Sequence, residues 1–170
     1  MGIRMNPKDR DALWNDMELL QCNYCGGIRG VGGFNKDTGG QYGYDNACKV
    51  CRGVQVRKSM RKRLKTDPFF KFKHDLRLAV LHSFKRKNWN KPNKTIEIIG
   101  CSFETAQAHL EATCQANYGC SIEELGGHHI DHIKPIATAT TEEEVVALCY
   151  YTNLQILTPE DNLAKGAKYD

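Results

Sequence analysis

Apolar positions along the chain recur at helical spacing in three stretches and fall into two short strand-like runs near the C-terminus. Leu13, Trp14, Met17 and Leu20 predict a helix within residues 1–20. Phe69, Phe72, Leu76, Val80 and Phe84 predict a longer one over 67–87, with Asp67 as N-cap, Pro68 at the first helical position and Lys85, Arg86 and Lys87 in the last turn. Phe103, Ala106, Leu110 and Cys114 mark a third helix, over 103–117, capped by Ser102. Between these two lies a short apolar segment, 95–99, ending at Gly100. Residues 54–66, VQVRKSMRKRLKT, read as a helix or a linker, and the glycine-dense stretch 21–53 reads as loop-rich.

The last third changes character. HHIDHIKPI (128–136) is a short β-type run that Pro135 ends, and NLQIL (153–157) is a second. TATTEEEVVALCYY (138–151) between them holds a short helix with an acidic first turn. A final helix starts at Pro159, with acids early and lysines late. The fold class expected is α+β, with boundaries at 1–58 (an N-terminal helix and a cysteine module), 59–120 (a basic helical region) and 121–170.

Composition agrees with a folded chain: 170 residues, 41% hydrophobic and 26% charged. No run of about 18 apolar residues is present, so no membrane span is expected. The opening MGIRMNPKDRDALW lacks the apolar core of a secretory signal, so the expected location is the cytoplasm, that of the host if the gene is a phage's. In that compartment the eight cysteines are expected as thiols or metal ligands and not as a disulfide framework.

The net charge of +4 conceals a strong asymmetry. Residues 52–94 carry 15 Lys and Arg against 2 Asp and Glu, whereas residues 95–170 carry 3 against 12. A block that one-sided points to a polyanion, nucleic acid above all, against the plainer reading of a solvated basic face. Arg57, Lys58, Arg61, Lys62, Arg63, Lys85, Arg86 and Lys87 are the candidates to contact its backbone.

Two clusters carry the chemistry. Cys22, Cys25, Cys48 and Cys51 form C-x2-C-x22-C-x2-C, the spacing of a closed four-thiolate zinc site, with iron–sulfur and redox roles as the alternatives. Such a site has no open position, so its zinc would be structural. Cys101, Cys114, Cys120 and Cys149 have no such spacing and read as small buried hydrophobes.

The second cluster is HHIDHIKPI followed by NLQILTPEDNLAKG. Phosphodiester hydrolysis needs a base near working pH, which a neutral histidine provides, and a hard cation to neutralise charge on the phosphate and the leaving oxygen. Asp131 and His132 are adjacent, Asn153 begins the second run, and Asn162 and Lys165 sit on the final helix. His74, His82 and His109 have no such company and read as ordinary polar positions.

These residues resemble the HNH endonuclease family with its ββα-metal finger. DHIKP matches the first block, NLQIL supplies the middle asparagine, and DN-x-x-K supplies the last block. With Asn162 in the third position, the pattern looks like the H-N-N variant of phage and intron-associated homing endonucleases. The resemblance implies His132 as general base, Asp131 and Asn162 as ligands of a magnesium or manganese ion, and Asn153 as the residue that positions the base. Lys165 would face a phosphate, and His129 is a further candidate for metal or phosphate contact. IEIIGCSFETAQAHLEA (96–112) is similar to a helical segment upstream of the HNH block in phage nucleases of this group, and the C-x2-C-x8-F-x13-C-x2-C module resembles one found at the N-terminus of some of them. In the related junction resolvases the Asp-His pair lies between the cysteine pairs. Residues 26–47 contain no histidine, which weakens that reading. The alternatives are a non-catalytic zinc-containing DNA-binding protein and a branched-DNA or junction nuclease.

Overall fold

The computed structural model describes residues 5–169. The chain divides after Thr66 into two compact units.

The first unit begins with α1 (Pro7–Met17), whose N-cap Asn6 accepts the amide hydrogen of Asp9 at 3.0 Å. The helix stops short of Leu20 because Glu18 takes a left-handed conformation (φ 52°). Leu20 is buried instead in β1 (Leu19–Gln21), which pairs antiparallel with β2 (Ile28–Gly30). A second antiparallel pair, β3 (Phe34–Lys36) and β4 (Tyr44–Cys48), occupies the rest of the stretch expected to be loop. The core is small: Leu20, Cys22, Phe34 and Cys48, with Trp14, Tyr42 and Tyr44 packed against it. Trp14 stacks on Tyr42 with ring centroids 4.8 Å apart.

From Cys48 the chain passes directly into α2 (Lys49–Thr66), which resolves the helix-or-linker ambiguity of 54–66 in favour of a helix that starts five residues earlier. Arg52 ties its first turn to β4 through Asp45, Nε to Oδ2 at 2.6 Å. No residue of α2 is buried, and Arg57, Lys58, Arg61, Lys62 and Arg63 are all exposed.

The second unit is built on α3 (Pro68–Arg86) and α5 (Phe103–Tyr118), both capped as the sequence predicts: Asp67 accepts from the Phe70 amide and Ser102 from that of Thr105. Short helices α4 (Thr95–Ile99) and α6 (Ile122–Leu125) flank α5. Then come β5 (His129–His132), α7 (Glu142–Leu148), β6 (Leu154–Leu157) and α8 (Pro159–Lys165). The helix expected over 138–151 is shorter because Thr141 and Glu144 form a reciprocal capping box that fixes its start. Leu76, Val80 and Phe84 of α3, Ala106, Leu110 and Cys114 of α5, and Leu154 and Ile156 of β6 form one continuous core. Cys114 and Cys149 are in it, whereas Cys101 and Cys120 are half-buried. Among the described residues no helix is long and apolar enough to cross a membrane. Mixed helices and three two-stranded antiparallel sheets make the chain α+β.

β5 and β6 pair in register from His129 opposite Leu157 to His132 opposite Leu154. An isolated pair of strands is marginal in water. Here α5 covers the outer edge of β6 with three side chains at four-residue spacing. His109 Nε2 meets the Leu154 carbonyl oxygen (3.0 Å), Thr113 Oγ1 accepts the Ile156 amide (3.1 Å) and Asn117 Nδ2 donates to the Ile156 carbonyl (3.2 Å).

Gly100 ends α4 at φ +72°, and a Cβ there would lie 1.9 Å from the Tyr150 ring. Gly100→Ala is therefore expected to cost at least about 2 kcal/mol in urea unfolding, from left-handed strain and forced displacement of a packed ring. A variant within about 0.5 kcal/mol of wild type would show that Tyr150 is not held against this turn.

Candidate metal centre and hairpin-helix site

The first unit's cysteines come from two places. Cys22 and Cys25 lie in the turn after β1, closed by Gly26 N–H to the Cys22 carbonyl (2.8 Å) and Cys22 N–H to the Gly27 carbonyl (2.9 Å). Cys48 ends β4, and Cys51 follows on the first turn of α2. Their four sulfur atoms lie within 4.8 Å of one another. A tetrahedral ion with metal–sulfur bonds of about 2.3 Å separates its ligands by about 3.8 Å, so the four fit one ion with little adjustment.

The surroundings suit thiolates. Cys22 Sγ accepts backbone amides from Tyr24 (3.4 Å) and Cys48 (3.3 Å). Burial pushes the Cys22 thiol up, but these donors outweigh it and hold it at about 6. Cys51 moves the other way, chiefly through its hydrogen bond with Cys48, as expected when thiolates crowd together without a cation to share. Four cysteines are thus positioned to bind a metal ion, with the donor set of a structural zinc site.

In the second unit, β5, β6 and α8 present the remaining candidates. Asp131 and His132 point to opposite sides of β5, as neighbours on a strand must. Asp131 faces α8: its Oδ2 takes an ion pair from Lys165 Nζ (3.1 Å) and a hydrogen bond from Gln155 Nε2 (3.1 Å), the residue opposite it on β6. Lys165 Nζ also donates to the His132 carbonyl oxygen at 2.8 Å. The lysine read from sequence as a phosphate contact is thus engaged with the strand itself.

His132 turns inward and is 8% exposed. Its Nε2 lies 3.4 Å from Ser83 Oγ on α3 and 3.7 Å from Cys149 Sγ. Burial lowers its proton affinity and Asp131 opposes this, with Arg86 and Lys165 lowering it further. The ring stays neutral down to about pH 4.

Asn153 does not meet the ring. Its Oδ1 accepts the Lys134 amide (2.9 Å) and its Nδ2 donates to the carbonyls of Lys134 (3.1 Å) and Leu148 (2.7 Å). With Ile133 N–H on the Asn153 carbonyl (2.8 Å), this pins the chain where β5 ends. Asn162 places Nδ2 2.9 Å from His129 Nδ1, and its amide oxygen has no partner among the described residues.

Asp131, His132, Asn162 and Arg86 line two adjoining cavities of about 400 and 480 Å³. The first also takes in His129, His82 and Lys71 and the second Lys87. Lys87 is partly committed, donating to the carbonyls of Ala137 (3.0 Å) and Ala139 (2.7 Å). Asp131 and Asn162 both line these cavities, and a carboxylate and an amide oxygen are hard donors of the kind that suits magnesium or manganese, which keep most of their waters. Ser83, which sequence reasoning passed over, has no signal of its own in the sequence. It falls one position before Phe84 on an otherwise apolar face of α3.

No family model matches the chain, and neither a curated protein nor a solved structure matches it.

Two expectations follow. Metal analysis of the purified chain should give one tightly held ion, lost in Cys48→Ser together with the folded structure of residues 5–66, because a core this small needs the 10–16 kcal/mol order of binding energy such sites provide. Retention of the ion by the variant would refute the four-ligand site. Protonating His132 costs stability as well. An open-chain histidine takes its proton near pH 6.5 and this one near 4, so between those values the unfolded state binds more protons. Stability should be full above pH 6.5 and fall by up to about 3 kcal/mol toward pH 4 in the metal-free protein. Denaturant unfolding of wild type and His132→Asn across pH 4–7.5 would show a steeper loss for wild type; equal slopes would contradict it.

Proposed function

We propose that the protein is a metal-dependent endonuclease of the HNH type that hydrolyses phosphodiester bonds in double-stranded DNA, with a zinc-stapled N-terminal module. The observation that carries the reading is that Asp131, His132 and Asn162, brought together from a strand pair and the helix after it, open onto the same cavities while His132 is neutral. In this reading the β5–β6–α8 unit is the ββα-metal finger.

When bound, a magnesium or manganese ion would neutralise charge on the scissile phosphate and the leaving 3′-oxygen. Asp131 Oδ1 and the Asn162 amide oxygen would hold it. Lys165 fixes the carboxylate through its other oxygen and ties it to the backbone of the base. His132 takes the proton from the attacking water, Asn153 fixes the backbone on which that ring is carried, and His129 orients Asn162. Arg86 lies beside both cavities as the nearest phosphate contact. Arg57, Lys58, Arg61, Lys62, Arg63 and Lys85 are exposed and supply further sequence-independent backbone contacts.

The second reading, a zinc-containing DNA-binding protein without catalysis, draws on α2, whose exposed basic face would hold a duplex with no help from the cavities. Both readings expect binding to weaken steeply with salt, by about 0.9 in log affinity per log salt for each phosphate neutralised, over roughly five to eight contacts.

Incubation of supercoiled plasmid with the full-length protein separates them. Nicked or linear product is expected with magnesium or manganese and none with EDTA. His132→Ala is expected to lose about 10²–10⁴-fold in rate with DNA binding retained. A shifted but uncut plasmid under every condition supports the binder, and comparison of four-way junctions with linear duplex tests the branched-DNA alternative.

A further inference from the structure

A histidine that acts as a base needs one bare ring nitrogen facing its substrate, and a hydrogen bond to the other nitrogen decides which one is bare. The sequence offers Asn153 for that task, but its amide is spent on the backbone of Lys134 and Leu148. The atom that faces the ring is Ser83 Oγ, 2% exposed and 3.4 Å from His132 Nε2.

Ser83 has one proton to give, and it donates it to the Ala79 carbonyl one turn earlier on α3, at 3.0 Å. What it presents to the imidazole is therefore a lone pair. A bare Nε2 there would set two acceptors against each other in a site nearly closed to water, whereas an Nε2–H satisfies both. Cys149 Sγ, at 3.7 Å, is a weak partner by comparison. His132 Nδ1 has no partner among the described residues. Since no fully buried side-chain nitrogen or oxygen among them lacks one, Nδ1 is the ring atom open to the cavity beside Asp131 and Asn162.

We propose that Ser83 is the positioning residue of this site: its oxygen keeps the ring proton of His132 on Nε2 and so leaves Nδ1 bare toward the cavity. Its consequence for catalysis rests on the nuclease reading; the tautomer itself does not. Without the oxygen, the Cys149 thiol becomes the nearest partner, donating to a bare Nε2, and the ring proton moves to Nδ1, where cavity water accepts it.

Long-range ¹H–¹⁵N spectra of the histidine rings in the labelled full-length protein at pH 7.5 test this, with the His132 signals assigned by their loss in His132→Gln. Wild type should show Nε2 protonated and Nδ1 bare. Ser83→Ala should shift the ring toward the Nδ1–H form, and Ser83→Thr, which keeps a hydroxyl, should restore the wild-type pattern. On plasmid, Ser83→Ala should lower the cleavage rate on the order of tenfold with DNA affinity unchanged, and Ser83→Thr should recover it. An Nδ1–H tautomer in wild type, or a Ser83→Ala spectrum identical to wild type, overturns the proposal. The expected tautomer shift in a protein that cuts no DNA leaves Ser83 in its role and overturns the nuclease reading instead.

Discussion

The pairing of His129–His132 with Leu154–Leu157 carries everything that the second unit can do. Four residues against four is too little to hold itself together in water. The hairpin persists because Leu154 and Ile156 enter the core beside α3 and α5, and because His109, Thr113 and Asn117 take up the backbone groups on the open edge of β6. Alternation along β5 then sends His132 inward against α3 and Asp131 outward against α8. They meet the same cavities because the strand ends there, pinned by Asn153 and turned by Pro135. A one-residue slip would exchange the two faces, burying a carboxylate and exposing the imidazole.

The first unit is governed by a different constraint. Leu20, Phe34 and a few aromatics bury too little apolar surface to order two short strand pairs and their glycine-rich turns. The four cysteines join the turn after β1 to the junction of β4 and α2, so an ion bound there would close the longest loop in the unit. The same junction launches α2: three residues from Cys48 to Cys51 is one helical turn, and the helix continues from it for 18 residues without burying any of them. Such a helix is kept by the tie between Arg52 and Asp45 and by its own propensity, which leaves its basic face to solvent.

Much of this was legible beforehand. The caps at Asp67 and Ser102, Pro159 at a helix start and the apolar spacing of Leu76, Val80 and Phe84 place α3, α5 and the start of α8 within a residue or two, because local chemistry decides them. The cysteine spacing predicted a cluster that the fold closes. What remained hidden is tertiary. Leu20 extends the pattern of α1 yet sits in a strand, because Glu18 breaks the helix before it. His109 reads as an isolated polar residue until β6 is laid beside it. Lys165 reads as a cation for substrate until Asp131 and the His132 carbonyl are found within reach of it. Ser83 is invisible for the same reason: its significance lies in what faces it 49 residues away.

The proposed nuclease requires Asp131 and Asn162 to share one hard cation. Manganese electron paramagnetic resonance, on the full-length protein with its thiolate site loaded with zinc and a non-cleavable DNA duplex present, reads that directly. One bound manganese ion per chain is predicted, lost in Asp131→Ala/Asn162→Ala while the zinc content and DNA binding stay as in wild type. Equal manganese binding by wild type and the double variant, or none by either, would contradict it.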